Sequence, residues 1–130
     1  MIRNTLLPIL AATAWISLSE FVRNSYFLHD YWITHYQNLG MTFPEEPVNG
    51  AVWGLWSLCY AIGIYSISRN FSFVGTWLLS WFLSFVLMWL VAGNMGVLPL
   101  GILYFAIPLS LLEVFVATLI IRALARKKRR

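Results

Sequence analysis

Four long apolar stretches constrain the fold more than any other feature of the sequence. They cover about residues 5–22, 51–67, 74–92 and 97–121. A helix needs roughly 20 apolar residues (range about 17–25) to cross a bilayer, and all four stretches meet that requirement. Their apolar residues do not alternate with polar ones, and a helix pairs its backbone N–H and C=O groups within its own segment. The sequence therefore predicts an all-α integral membrane protein, a bundle of four transmembrane helices.

The composition supports this assignment. Hydrophobic residues make up 60% of the 130-residue chain and charged residues 11%, against roughly 45–50% and 25% in a soluble domain. So few charges cannot cover the surface of a small soluble fold. The length predicts a single membrane domain, 1–130. The single cysteine, Cys59, excludes a disulfide within the chain.

The first stretch has an alternative interpretation as a cleaved signal peptide. Arg3 would provide its basic start, and the residues Ala12, Thr13 and Ala14 resemble a cleavage site. The apolar core before that site would cover only residues 6–11 and would contain Pro8. Because a signal peptide typically has about 7–15 such residues, the pattern favours a retained span.

The basic residues predict the orientation of the bundle. With four spans, Arg3, Arg69 and the six bases of the tail 122–130 lie on one side, and only Arg23 lies on the other. Positive charge accumulates on the cytoplasmic side. We therefore expect a multi-pass protein, of a bacterial inner membrane, with both termini in the cytoplasm. The expected partner of the tail is anionic lipid, and no nucleic acid is predicted because no folded nucleic-acid-binding domain accompanies the tail.

The segment 23–50 separates the first two spans on the outer side. Aromatic and apolar residues recur in it at roughly helical spacing: Tyr26, Phe27, Tyr31, Trp32, Tyr36 and Leu39. This spacing predicts an aromatic helix over 24–39, which either lies in the membrane interface or continues the first span. Gly40 is expected to end that helix. Pro44 and Pro47 then predict an extended linker.

Glu113 is the one charged residue inside the fourth stretch. It precedes Arg122 by nine residues, so it lies about 13 Å from the cytoplasmic boundary. A carboxylate at that depth costs about 2.5–3.5 kcal/mol on insertion scales, so it should face the bundle. Counting to the same depth along the other spans gives four candidate partners in a ligand site: Thr13, Tyr60, Ser80 and Ser84. Two interpretations stay open, an ion, proton or ligand site and a structural hydrogen bond that fixes helix packing.

A second group of polar residues lies near the outer end of the first span: Glu20, Arg23, His29, Asp30 and His35. Glu20 and Arg23 are three residues apart, a spacing that allows an ion pair on one helix face. The alternatives are an interfacial ion pair and an outward-facing binding site. The two histidines are six residues apart and no ligand motif accompanies them. The sequence predicts no metal and no cofactor.

Three functions are compatible with these patterns. The first is binding of a small ligand or a membrane partner through the core around Glu113, which includes a carrier. The second is a structural or assembly subunit of a membrane complex, or a homo-oligomer. The third is an intramembrane enzyme using the carboxylates and histidines of the outer group, although no catalytic motif is present and no residue is assigned as catalytic.

In span count and size the chain resembles the small multidrug transporters, which carry an essential acid in their first helix. Glu20 is the acid of the first span here, but it lies at the end of that span. The charge bias also opposes pairing of inverted copies, and no family membership is predicted.

Overall fold

The computed structural model describes residues 2–125, and this part of the chain contains helices and no strands. Its five helices are α1 (Ile2–Phe27), α2 (His29–Asn38), α3 (Pro47–Ser68), α4 (Phe73–Asn94) and α5 (Leu100–Leu124). All except α2 are long and apolar enough to cross a membrane. The prediction of an all-α integral membrane protein with four spans and an additional aromatic helix is confirmed.

The first span is longer than its apolar stretch. The sequence predicts an end near residue 22, but the helix continues to Phe27, with a π-helical turn over Val22–Phe27. The backbone leaves the helix at Leu28 (φ −108°, ψ 9°) and then forms α2. The aromatic helix predicted over 24–39 is therefore two pieces, the end of α1 and α2. Its first part continues the first span, which was one of the two predicted arrangements, because the charges at positions 20 and 23 are buried and paired and do not end that span.

The four spans pack around one core. α1 packs against α3 and α5, α4 packs against the same two helices, and α3 and α5 also contact each other. Small buried residues, among them Ala12, Ser57, Ala61 and Ala117, allow the backbones to approach closely. Larger side chains fill the remaining space: Ile16, Ile64, Phe85, Val114 and Ile121.

One end of this bundle carries α2 and the linker 41–46, and we call it the capped end. Leu28 is buried there against Leu98, Ile102 and Ala106. The ring nitrogen Nε2 of His35 lies 2.8 Å from the carbonyl oxygen of Gly96, in the link between α4 and α5. These contacts fold α2 over the ends of α4 and α5.

The linker returns from α2 to the start of α3. Gly40 adopts a φ of 73°, which ends α2 as the sequence predicts. Phe43 then packs back onto α2, with its ring stacked on Trp32 at 5.7 Å between centroids. Glu46 is extended (φ −70°, ψ 156°), and Pro47 takes the first helical turn of α3, where its missing N–H is not needed.

The opposite end of the bundle contains the start of α1, the α3–α4 link and the end of α5, and we call it the termini end. The Ser72 side chain caps α4 by accepting a hydrogen bond from the backbone N–H of Gly75 at 3.1 Å. A guanidinium nitrogen of Arg122 donates to the carbonyl of Phe71, which joins α5 to this link. Residues 126–130 of the predicted basic tail lie outside the described residues.

Candidate binding site

Three charged side chains meet inside the bundle near its capped end. The Nη2 atom of Arg23 lies 2.6 Å from Oε1 of Glu20, and Nη1 of Arg23 lies 3.6 Å from Oε1 of Glu113. Glu113 is 1% exposed, Glu20 3% and Arg23 6%. We call these three residues the ion cluster. It joins α1 to α5 through a single guanidinium group.

The direction of the two helices explains why these residues meet. Side chains of an α-helix lean toward its N-terminal end. Because α1 starts at the termini end, Arg23 leans back into the bundle instead of reaching toward the headgroups. Because α5 runs the opposite way, Glu113 leans toward the capped end. The two side chains therefore lean toward each other, and Nη1 of Arg23 lies 3.6 Å from Oε1 of Glu113.

Neighbouring groups hold the ion cluster in place. The Asn24 side chain donates to Oε2 of Glu20 at 3.0 Å and accepts from the Trp32 indole at 3.1 Å. On the other side, the guanidinium carbon of Arg23 lies 5.1 Å from the ring centroid of Phe85 in α4. This distance allows a cation–π contact. All three spans around the cluster, and α2 above it, therefore fix the position of the guanidinium group.

Trp15 fixes the backbone next to Glu113. Its indole N–H donates to the main-chain carbonyl of Glu113 at 2.9 Å. The indoles of Trp77 and Trp81 donate to α5 in the same way, to the Leu111 carbonyl at 2.8 Å and the Ser110 hydroxyl at 2.9 Å. Buried Trp residues usually find such acceptors. These contacts position α5, and with it the carboxylate of Glu113.

The charges of the ion cluster do not balance. Two carboxylates face one guanidinium, so ionisation of both acids leaves one negative charge in a low-dielectric interior, which is costly. Both carboxylate oxygens of Glu113 are buried without a hydrogen bond, and so is Nη1 of Arg23. One further positive charge, from a proton or a bound cation, makes the cluster neutral.

A cavity of about 550 Å³ opens beside this cluster, between α1, α3 and the linker. We call it the capped-end cavity. Glu20 belongs to both the cluster and the cavity wall. The other charged residues of the wall are Glu45 and Glu46, so every ionisable group that the described residues contribute to the wall is a carboxyl group. The remaining lining residues are polar or aromatic for the most part: Ser17, Phe21, Asn24, Ser25, Phe43, Pro44, Pro47, Asn49, Gly50, Trp53 and Gly54.

The four residues that the sequence predicts as partners of Glu113 do not form hydrogen bonds with its carboxylate in the described structure. The Thr13 hydroxyl donates to the carbonyl of Ile9 on its own helix at 2.7 Å. The Tyr60 hydroxyl lies within electrostatic reach of Glu113 and faces Ser84, but its hydrogen bond goes to the main-chain carbonyl of Ser80 at 2.8 Å. The Ser80 hydroxyl is buried without a hydrogen-bond partner. Glu113 has its direct contact with Arg23 instead.

The outer polar group also separates in the structure. Glu20 and Arg23 belong to the ion cluster, whereas His29 pairs with Glu45 of the linker. Asp30 and His35 line a different surface depression, beside Pro99. Glu20, His29, Asp30 and His35 therefore do not converge on one cavity. Within residues 2–125, no group of three or more His, Cys, Asp or Glu side chains is placed to hold a metal ion.

Sequence reasoning did not join Glu113 to Arg23, and it did not assign Asn24, Glu45 or Glu46 to a site. A usable signal was present, because a charged residue within a span is expected to pair with an opposite charge, and Arg23 is the basic residue next to the first span. Comparison of the chain with protein-family models, curated proteins and solved structures gives no match.

Proposed function

We propose that this membrane protein binds a small cationic molecule in the capped-end cavity, with the ion cluster at the base of the site. The observation that carries the proposal is the position of Glu20. Glu20 lines a cavity whose ionisable groups, among the described residues, are all carboxyl groups, and its carboxylate belongs to a cluster that lacks one positive charge. A cation in the cavity supplies that charge without entering the helix interface.

The cavity also favours a class of cation. Its volume of about 550 Å³ falls within the range of small-molecule sites, about 300–1,000 Å³. The aromatic rings of Phe21, Phe43 and Trp53 contribute to its wall together with the carboxylates. Aromatic faces and carboxylates together suit substituted ammonium ions, which are attracted to the face of a ring. We therefore assign the ligand to the organic ammonium ions.

The orientation belongs to the same proposal. Eight of the nine basic residues fall on the side of the termini end, so the capped end faces the outside of a bacterial inner membrane and the termini lie in the cytoplasm. The cavity then takes its ligand from the outer side, and the protein acts as a carrier or as a ligand-binding accessory subunit. A membrane-impermeant maleimide applied to intact cells should label Glu46→Cys and should leave Asn70→Cys unlabelled, in a background that lacks the native cysteine.

Binding is tested with purified full-length protein in neutral detergent. Tetraalkylammonium ions of increasing size are titrated while the fluorescence of the tryptophans, of which Trp53 lines the cavity, is recorded. We expect saturable quenching by the ammonium ions. Choline should bind and its uncharged carbon isostere, 3,3-dimethylbutan-1-ol, should not, because the isostere does not supply the missing charge.

The variants follow from the charge count. Glu20→Gln or Glu113→Gln leaves one carboxylate for one guanidinium, so either substitution should weaken ammonium binding about tenfold or more, the usual effect of losing an interaction with a charged group. Asp30→Asn is the matched control, because Asp30 is an exposed acid at the same end that does not line the cavity. Its affinity should equal that of the unmodified protein.

The alternative function, a structural or assembly subunit in which the ion cluster only fixes helix packing, predicts a different result. Neither the ammonium ions nor the isostere would then bind, and Glu113→Gln would change the stability or the co-purifying partner proteins instead. Equal binding of choline and its isostere, or full affinity in Glu20→Gln, would refute the cation site.

A further inference from the structure

A second cavity lies at the termini end, between the ends of α3 and α5 and the start of α4. Its volume is about 640 Å³, and the described residues of its wall include Tyr65, Arg69, Phe73, Leu119 and Arg122. We call it the termini-end cavity. Within residues 2–125, both charged residues of its wall are arginines. It therefore differs in sign from the capped-end cavity, and it requires no contribution from the ion cluster.

The two arginines are held at the wall by contacts of their own. Nη1 of Arg69 donates to the Tyr65 hydroxyl at 3.1 Å, and its guanidinium carbon lies 5.8 Å from the centroid of the same ring. Arg122 donates through Nη2 to the carbonyl of Phe71. These contacts orient both guanidinium groups, which reduces the entropy lost when they bind a ligand.

One donor of the Arg122 side chain is left over. The Nε atom of Arg122 is buried and has no hydrogen-bond partner. A buried N–H without an acceptor costs free energy, so an acceptor from a ligand would stabilise this group. Guanidinium groups suit phosphate, whose oxygens accept two parallel N–H hydrogen bonds. Among the described residues that line the cavity, none has a carboxylate that would compete for the two arginines.

The rest of the wall indicates where the phosphate comes from. Phe73 and Leu119 contribute apolar surface beside the arginines, and Leu119 belongs to a membrane-spanning helix. A free phosphate ion gains nothing from apolar surface, whereas a phospholipid places its headgroup phosphate directly above its acyl chains. Basic pockets between spans at this level bind anionic lipid headgroups.

We propose that the termini-end cavity is a binding site for the phosphate group of an anionic phospholipid, held by Arg69 and Arg122. The site is distinct from the attraction of the tail 126–130 to a charged membrane surface. It selects one lipid molecule between α3, α4 and α5, so the lipid ties the α3–α4 link to the end of α5.

The proposal is tested by native mass spectrometry of the full-length protein released from neutral detergent after addition of phosphatidylglycerol or phosphatidylcholine. We expect one tightly bound phosphatidylglycerol and no comparable phosphatidylcholine. Arg69→Gln should reduce the bound fraction about tenfold, because it removes a charged hydrogen-bond donor. Arg122→Lys should also reduce it, because lysine keeps the charge but lacks Nε and the planar geometry. Arg3→Gln is the matched control, since Arg3 is an exposed base at the same end that does not line the cavity.

Three further measurements separate the alternatives. Replacing all five tail bases 126–130 with glutamine should leave the first phosphatidylglycerol bound. About 0.5 M salt should release it only partly, because a guanidinium–phosphate contact at hydrogen-bond distance is screened less than the longer-range attraction of the tail to a charged surface. Loss of that lipid in the tail variant, together with full binding in Arg69→Gln and Arg122→Lys, would overturn the proposal. Displacement of the lipid by millimolar inorganic phosphate would show that the site binds the free anion, and it would refute the proposal of a phospholipid site.

Discussion

Removing the guanidinium of Arg23 is the most informative perturbation of the bundle. Arg23→Gln leaves the carboxylates of Glu20 and Glu113 buried without a cation. The single substitutions Glu20→Gln and Glu113→Gln each leave one carboxylate facing one guanidinium. Each of the three variants removes one charge, but only the first of them increases the imbalance of the cluster.

The geometry gives the size of each effect. At an effective dielectric constant of about 20, ion pairs at 2.6 Å and 3.6 Å correspond to about 6 and about 5 kcal/mol of attraction. Desolvation offsets most of that attraction, and removing one partner of a buried pair costs about 3–5 kcal/mol. We expect that loss for Arg23→Gln. Glu20→Gln should cost about 1.5–3 kcal/mol, since the Glu20 carboxylate accepts charged and neutral hydrogen bonds.

Glu113→Gln should cost about 1 kcal/mol or less. Neither oxygen of Glu113 accepts a hydrogen bond, and the shorter pair between Arg23 and Glu20 stays intact. The predicted order of destabilisation is therefore Arg23→Gln, then Glu20→Gln, then Glu113→Gln.

The assay is equilibrium unfolding of the purified protein in mixed micelles, with sodium dodecyl sulfate as the denaturant and tryptophan fluorescence and circular dichroism as the probes. Arg3→Gln serves as the control, because Arg3 is exposed at the termini end and surface substitutions change stability by about 0.5 kcal/mol or less. If Arg23→Gln were as stable as this control, or if Glu113→Gln were as destabilising as Arg23→Gln, the assignment of the charges would be refuted.

Two further predictions use the same unfolding assay. Trp15→Phe removes the indole hydrogen bond to the Glu113 carbonyl and should cost about 1 kcal/mol; no change would mean that this contact does not hold α5. Gly96→Ala places a Cβ on a residue with a φ of 75° but with open space around it, so only backbone strain of about 1–2 kcal/mol is expected. Gly63→Ala is the helical comparison, since its Cβ also meets open space, and it should stabilise the protein by about 0.5–1 kcal/mol; destabilisation by both glycine substitutions would contradict this explanation.

The four spans could be predicted from the sequence because their requirement is local. A run of about 20 apolar residues crosses a bilayer whatever it packs against, and the core of each predicted stretch lies within an observed span. The sequence predicted the ends of the spans less accurately, because a charged residue does not end a helix when it is paired inside the bundle. Glu20 and Arg23 lie in the continuous helix Ile2–Phe27 for that reason.

The ion cluster could not be predicted from depth alone. Matching backbone heights along the helices selects Tyr60 and Ser80 beside Glu113, and it assigns Arg23 to the headgroup region. That counting ignores the lean of each side chain toward its own N-terminus and the length of the arginine side chain. The capped-end cavity also depends on a tertiary contact, the packing of Phe43 in the linker onto Trp32 of α2. No local sequence pattern specifies that contact.

The cost of the ion cluster supports a role beyond packing. Well-packed apolar residues of similar volume are often as stabilising as a buried ion pair, or more so, and the bundle already has tryptophan hydrogen bonds and close-packed small residues to hold α1 and α5 together. In a cluster with one surplus carboxylate, full compensation of the charge requires a further positive charge. The same imbalance is what a cation site next to Glu20 requires. Helix packing alone therefore explains the surplus carboxylate of the ion cluster poorly, whereas a cation bound in the capped-end cavity next to Glu20 explains it.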